Sequence, residues 1–327
     1  MNVSGSFLAI AFIGFNITLS AQAIDNTASF RIIDAPRYMR LHYENDYFTA
    51  TDIYYTQGLN FEIVAPSYRK FLLSKLLLAT KKGISQSGIA VEHNGYTPTS
   101  IKSNEILYGD RPFAAAIMLK SFAMTSDTVH NCRITSSLTL GIIGPAAGGY
   151  EMQRSIHRWI NGQEPFGWQY QIQNDAIVNY ELGIEKNIMS SGNSFLLNGL
   201  VNARLGTLNS KASAGFVIMA GRLTNTIVSI FSKEKCVSKR KVFFHLYVQP
   251  LINMVGNDAT LQGGLFNTQS PYTISSPEIT RVTYQVNYGG ILSFGSIQLD
   301  YFKTAISREF ETGGTHRWGG IRVGVKF

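Results

Sequence analysis

The chain has 327 residues and a formal net charge of +8, with charged residues at only 15% and aromatics at 12%. No stretch beyond the first turns of the chain holds 18 uncharged apolar residues, so a bundle of transmembrane helices is excluded. The basic balance favours anionic partners, but no clustered basic motif points to nucleic acid, and lipid head groups fit better.

The first segment, MNVSGSFLAIAFIGFNITLSAQA, has an apolar core at 7–15 and the small-x-small site Ala21-Gln22-Ala23. It reads as a secretory signal peptide over 1–23, leaving 24–327 as one domain. Export permits a disulfide between Cys132 and Cys236, although sequence does not show whether they meet.

From residue 37 onward the signal is alternation. Strands are expected near 37–48, 54–65, 84–95, 111–124, 132–143, 175–188, 194–206, 212–222, 241–254, 279–292, 295–308 and 316–327. In the last, Ile321, Val323 and Val325 alternate with Arg322, Gly324 and Lys326, and Phe327 closes the chain. Val178, Tyr180, Leu182 and Ile184 likewise oppose Asn179, Glu181, Gly183 and Glu185. Segments near 10 residues with one apolar face and one polar or Gly-rich face describe an all-β, twelve-stranded antiparallel transmembrane β-barrel. With the N-terminus in the periplasm, long connections at 96–110, 144–174 and 255–278 fall outside.

Three segments are not strands. SYRKFLLSKLLLAT (67–80) has the spacing of an amphipathic helix, and 224–240 reads as helix or loop. The third, YEMQRSIHRW, lies in the longest outer connection. Met152, Ile156 and Ile160 recur every fourth residue, as do Gln153 and His157. This spacing predicts a short helix whose apolar stripe docks on the barrel and whose polar stripe is free for chemistry.

Polar clusters sit at the outer strand ends. In ENDYFTATDIYYTQG, Asn45, Asp46, Asp52 and Thr56 offer hard oxygen ligands of the kind calcium prefers; the bland alternative is a turn rich in Asn, Asp and Thr. In YGDRPFAAA, Asp110 and Arg111 suggest a structural ion pair. The aromatics of PFGWQYQIQND read as an interfacial girdle. His157 is either a solvated helix residue or a base that takes a proton from water.

The ordered runs ND…TD..YT, GDRPFAA, GIIGPAAGG.EMQ..IHRW and P.GWQ.QI.N resemble the outer-membrane lipid A 3′-O-deacylase family from about Arg37 to Tyr180. That resemblance implies an active site between the outer wall and a loop helix, and calcium-dependent ester hydrolysis in the bacterial outer membrane. By position it implies Asn45, Asp46 and Thr56 around the ion and oxyanion, His157 as base and Gln153 as its helix partner. Where the family's type member has a basic pair thought to meet a lipid A phosphate, this chain has Ile101-Lys102. The expectation is therefore a Ca2+-dependent deacylase acting on lipid A or lipopolysaccharide as a monomer. An outer-membrane phospholipase and a porin-like barrel are the rival readings.

Overall fold

The computed structural model describes residues 24–49, 53–79, 83–231 and 242–327. The expected signal peptide and Cys236 lie outside these residues; Cys132 opens β5. The strands are β1 (Tyr38–Asn45), β2 (Tyr54–Val64), β3 (Ile84–Thr97), β4 (Ala114–Asp127), β5 (Cys132–Ile143) and β6 (Asp175–Ser191). They continue as β7 (Phe195–Gly206), β8 (Asn209–Arg222), β9 (Val242–Asp258), β10 (Val282–Phe294), β11 (Ile297–Ile306) and β12 (His316–Lys326). Each pairs antiparallel with its neighbour in sequence, and β1 pairs with β12, closing the barrel. Closure leaves no edge of unpaired backbone to face hydrocarbon. Among the described residues no helix is long and apolar enough to cross a membrane.

All twelve expected strands are present. β4 starts at Ala114 rather than at 111, because Pro112 has no N–H for the ladder and Arg111 turns across the barrel mouth. Alternation sorts the wall as read from the sequence. Leu41, Val91, Val178, Leu246 and Val323 face outward and are exposed, while Arg40, His42, Glu92, Asn179 and Arg322 face inward and are buried.

The lumen is filled. Residues 24–34 thread through it and bond to strands around the circumference. Lys120 Nζ donates to the Ile24 carbonyl at 2.9 Å, and Asn26 Nδ2 to Asn60 Oδ1 at 3.0 Å. Ser29 Oγ donates to Glu185 at 2.6 Å, His245 Nε2 to the Phe30 carbonyl at 3.0 Å, and Gln298 Nε2 to the Ile32 carbonyl at 3.1 Å. Phe30 stacks on Tyr247 at 3.8 Å. A helix α2 (Asn225–Phe231) packs against β5 and β6 with Ile227, Val228, Ile230 and Phe231 buried. Residues 24–34 thus occupy part of the lumen among the described residues. A polar cavity remains, lined by Arg31, Glu44, Glu181, Arg204 and Arg322 among others.

At the outer mouth Arg111 does not pair with the Asp110 carboxylate as expected. Its guanidinium bonds Glu309, donates to Thr260 Oγ1 at 2.7 Å and lies 4.6 Å over Tyr96. Burial opposes its charge, but Glu309, Asp258 and Tyr96 together outweigh burial and raise its pKa. Asp110 instead accepts from the Thr99 backbone at 2.9 Å. Glu309 lies far along the chain, so no local pattern marks it.

The segment expected as a helix over 67–80 forms two 3₁₀ turns, Pro66–Lys70 and Leu73–Leu76, laid along the outside of the wall. There Ser74 bonds Ser121 at 3.0 Å, Ser136 donates to the Leu78 carbonyl at 2.8 Å, and Tyr180 Oη donates to the Leu76 carbonyl at 3.0 Å. Ser121 and Ser136 point outward, where bare hydroxyls in hydrocarbon would be costly. The segment spends its own carbonyls on the wall, which competes with the i to i+4 bonds of an α-helix. Leu73 and Leu77 pack inward, while Leu72, Leu76 and Leu78 are exposed.

A buried charge calls for a partner, and several lumen charges have one. Arg322 donates to Asp300 at 2.7 Å and to His42 Nδ1 at 3.0 Å, and lies 3.4 Å over the Phe302 ring. His42 passes the chain on to Glu44 at 3.0 Å. Arg322→Ala leaves these groups without their cation and is expected to destabilise the barrel by about 3–5 kcal/mol. The check is the temperature at which the folded, fast-migrating gel band converts, which should fall clearly below that of the wild type.

Candidate active site

The site grows from the outer ends of β1 and β2. Alternation turns Glu44 inward and Asn45 outward. Asn45 Nδ2 donates to the Thr56 carbonyl, and its Oδ1 accepts from the Tyr47 backbone at 2.7 Å, so the side chain ties the two strand ends together. Asp46 begins a 3₁₀ turn, Asp46–Thr49, and is 2% exposed. Thr56 sits in a β-bulge: Tyr55 stands opposite Tyr96, but Gln57 stands opposite Gly95. A bulge re-aims the side chains around it. Thr56 Oγ1 lies 2.6 Å from Thr97 Oγ1.

The inner side of the wall braces this corner. Tyr55 Oη donates to Glu44 at 2.6 Å, and the residue below, Gly58, leaves room for it. A Cβ at Gly58 would stand 2.0 Å from that hydroxyl.

The loop helix α1 (Gly149–Trp159) forms where the sequence places it. It follows a 3₁₀ turn, Pro145–Ala147, and a left-handed Gly148 at φ +73°. Its seat is small residues. A Cβ on Gly149 would lie 2.4 Å from Ala115 Cβ and 2.7 Å from the Trp168 ring. His93 Nε2 donates to the Ala147 carbonyl at 2.9 Å, pinning the turn to the outward face of β3. Ile101, Phe113, Ala115, Ala147 and Trp168 pack beneath, joined by Tyr150.

The helix is rotated relative to expectation. Gly149 and Gln153 are its buried residues, Met152 and Ile156 of the expected stripe are half-buried, and Ile160 is 60% exposed. The expected stripe is thus not the most deeply seated side. At the rim of a membrane barrel, outward apolar residues meet lipid rather than water, so hydrophobicity does not mark the docking side.

Gln153 is 1% exposed, and its Oε1 accepts from Trp168 Nε1 at 2.6 Å. His157 is half-buried one turn along, so the two side chains are neighbours on the helix surface. His157 Nδ1 bonds the Gln163 carbonyl. A carbonyl only accepts, so Nδ1 carries the hydrogen and the Nε2 lone pair is left to take a proton.

Lys102 is exposed in the loop whose Ile101 is buried under α1. The Phe166 backbone donates to the Ile101 carbonyl at 2.8 Å, which knits this loop to the one carrying Trp168. Ile101 therefore has a packing role at the position where the resemblance has a basic residue.

The structure thus groups Asn45, Asp46 and Thr56 at one corner, and Gln153 with His157 on α1. It adds Gln57, Thr97, His93 and Trp168. Trp168 was read as a girdle aromatic, but it is buried and holds Gln153. Gln57 stands next to Thr56 in TQG, and alternation alone would have placed it outward. The donors at the corner are oxygens: the Asp46 carboxylate, Asn45 Oδ1 and the Thr56 hydroxyl. Oxygen donors of this kind are what a hard cation such as calcium would take.

The profile of the family described as "Outer membrane protein LpxR" matches residues 7–327. The chain belongs to the LpxR family. It is accordingly an outer-membrane protein, embedded in the membrane by its barrel. Among solved structures, LpxR from Salmonella typhimurium matches with a TM-score of 0.72 at 20% identity, covering 89% of this chain and 100% of that one. It shares the barrel fold with this LpxR-family chain. The beta domain of the Bordetella autotransporter BrkA matches at 8% identity with a TM-score of 0.46, covering 89% and 99% of the two chains. No match was found among curated proteins.

The close seat of α1 gives a direct test. Gly149→Ala puts a methyl into Ala115 and Trp168 and must lift the helix from the wall. The helix should loosen while the barrel stays folded. Faster proteolysis within 149–164 at unchanged unboiled gel mobility checks this.

Proposed function

We propose that this LpxR-family chain is an outer-membrane esterase that removes an ester-linked acyl chain from lipid A, or from a related acylated glycolipid of the outer leaflet, acting as a single copy. The observation that carries this reading is His157. Its Nδ1–H is held by the Gln163 carbonyl, and it sits beside Gln153 on a helix seated against the lipid-facing wall. The family description and the likeness to Salmonella LpxR support it.

Acyl chains lying along the wall bring their ester ends to the level of α1. His157 Nε2 takes a proton from water as that water attacks the ester carbonyl, and later returns it to the departing sugar hydroxyl. Gln153, fixed by Trp168, orients the imidazole and the water. Asn45 stands where the oxygen of the tetrahedral intermediate gathers charge. Calcium, when held by Asp46 with Asn45 and Thr56, would polarise the ester carbonyl and share that charge. Lys102, exposed on the adjoining loop, would meet a phosphate of the head group.

The test is mass spectrometry of lipid A from cells with and without the expressed protein. Loss of one hydroxyacyl or acyloxyacyl unit supports the reading. Unchanged lipid A, with release of fatty acid from phospholipid instead, supports the phospholipase.

His157→Ala is expected to lower kcat and kcat/KM alike by about 10²–10⁴-fold, the usual share of a general base. A folded His157→Ala protein that keeps most of its rate would end the base assignment.

Asp46→Ala removes the charged oxygen donor from the corner. It should abolish activity, and a strong chelator should do the same to the wild type. Near-normal turnover of the variant in chelator would exclude a calcium mechanism.

A further inference from the structure

Gln57 has no place in the mechanism above, yet it is 1% exposed on the outward face of β2. Neither its Nε2 nor its Oε1 has a hydrogen-bond partner, and both atoms are shut off from solvent. A buried carboxamide with unmade bonds is a cost that an apolar side chain of similar size would avoid.

Its position explains what it could meet. Gln57 lies over Gly95, with its Cγ and Nε2 at 3.0 and 3.2 Å from where a Cβ would stand. Gly95 pairs with Ala115, the residue on which Gly149 of α1 rests. The Gln57 amide therefore occupies the wall between the Asn45–Thr56 corner and the helix that carries Gln153 and His157. The same face holds two more unmade groups, Gln153 Nε2 and His93 Nδ1.

We propose that Gln57 is a substrate-recognition residue, whose carboxamide bonds a hydroxyl or secondary amide next to the scissile ester. The proposal rests on the esterase reading above. A carboxamide offers donors and an acceptor together. An ester offers acceptors only, so it leaves Oε1 unmet, whereas a hydroxyl or an amide N–H satisfies it. Acylated amino sugars carry such groups beside the ester: an N-linked acyl amide on the neighbouring carbon, and a hydroxyl on a 3-hydroxyacyl chain. The two acyl esters of a glycerophospholipid have neither beside them. Gln57 thus separates the two lipid classes. Entry requires α1 to lift or Gln57 to change rotamer, and either movement exchanges unmade bonds for made ones.

The experiment uses the purified protein in detergent, wild type and Gln57→Met, with heat-modifiable mobility as the folding control. The substrates are a phosphorylated glucosamine with an N-acyl amide and an O-(3-hydroxyacyl) ester, its analogue lacking the acyl hydroxyl, and its analogue with the amide replaced by an ester. The wild type should prefer the first over at least one analogue by about 10- to 100-fold in kcat/KM, because a site built to bond a polar group rejects substrates without it. Which analogue fails identifies the group. Gln57→Met should bring that ratio near unity, and Gln57→Asn, which keeps the amide, should retain part of it. Parallel loss on all substrates with the ratios kept would make Gln57 a structural residue and overturn the proposal. A wild type that cleaves all equally would overturn it too. A folded wild type that cleaves none would overturn the esterase reading, and this proposal with it.

Discussion

Hydrocarbon offers no partner to a backbone N–H or C=O, and the rest of the structure follows from that constraint. The pairing of β1 with β12 satisfies it by closing the sheet. Once the sheet is closed, alternation can only sort side chains into lumen and lipid faces. The lipid face takes Leu, Val and Ile. Where serines interrupt it at Ser121 and Ser136, the 3₁₀ segment lies over them and makes their bonds.

The lumen takes the charges, and burial then demands that they be paired. Arg40 meets Glu62 at 3.1 Å, Lys120 meets Glu92 at 2.9 Å, and Arg322 meets Asp300. The segment 24–34 fills what remains. The corner at Asn45 and Thr56 and the helix α1 lie on the outside of the wall, where lipid meets it. The bulge at Thr56 and the small residues Gly95, Ala115 and Gly149 make that outer face approachable, and α1 covers it. The same wall carries Tyr55 and Glu44 on its inner side, so the corner that holds Asn45 and Thr56 is braced from within.

Local pattern made much of this legible. A period of two is set by a single step along the chain, so strand identity, strand number and the facing of residues such as Val178 or Arg322 follow from neighbours alone. The ordered motifs and the spacing of Gln153 and His157 likewise lie within short runs. These runs are enough to specify a twelve-stranded barrel with a loop helix.

Other features depend on what stands across space. The docked side of α1 is chosen by Ala115 and Trp168, and the apolar stripe that would decide it in water does not decide it next to lipid. Arg111 pairs with Glu309 rather than with Asp110, because chain closure brings the two loops together over the mouth. Residues 66–79 leave helical geometry because Tyr180, Ser121 and Ser136 compete for their hydrogen bonds. Residues 24–34 lie in the lumen because the closed wall presents a ring of charged and amide groups to them. Tertiary structure decided these points for one physical reason: each is a choice among partners of similar chemistry, and only proximity between segments distant in sequence selects one.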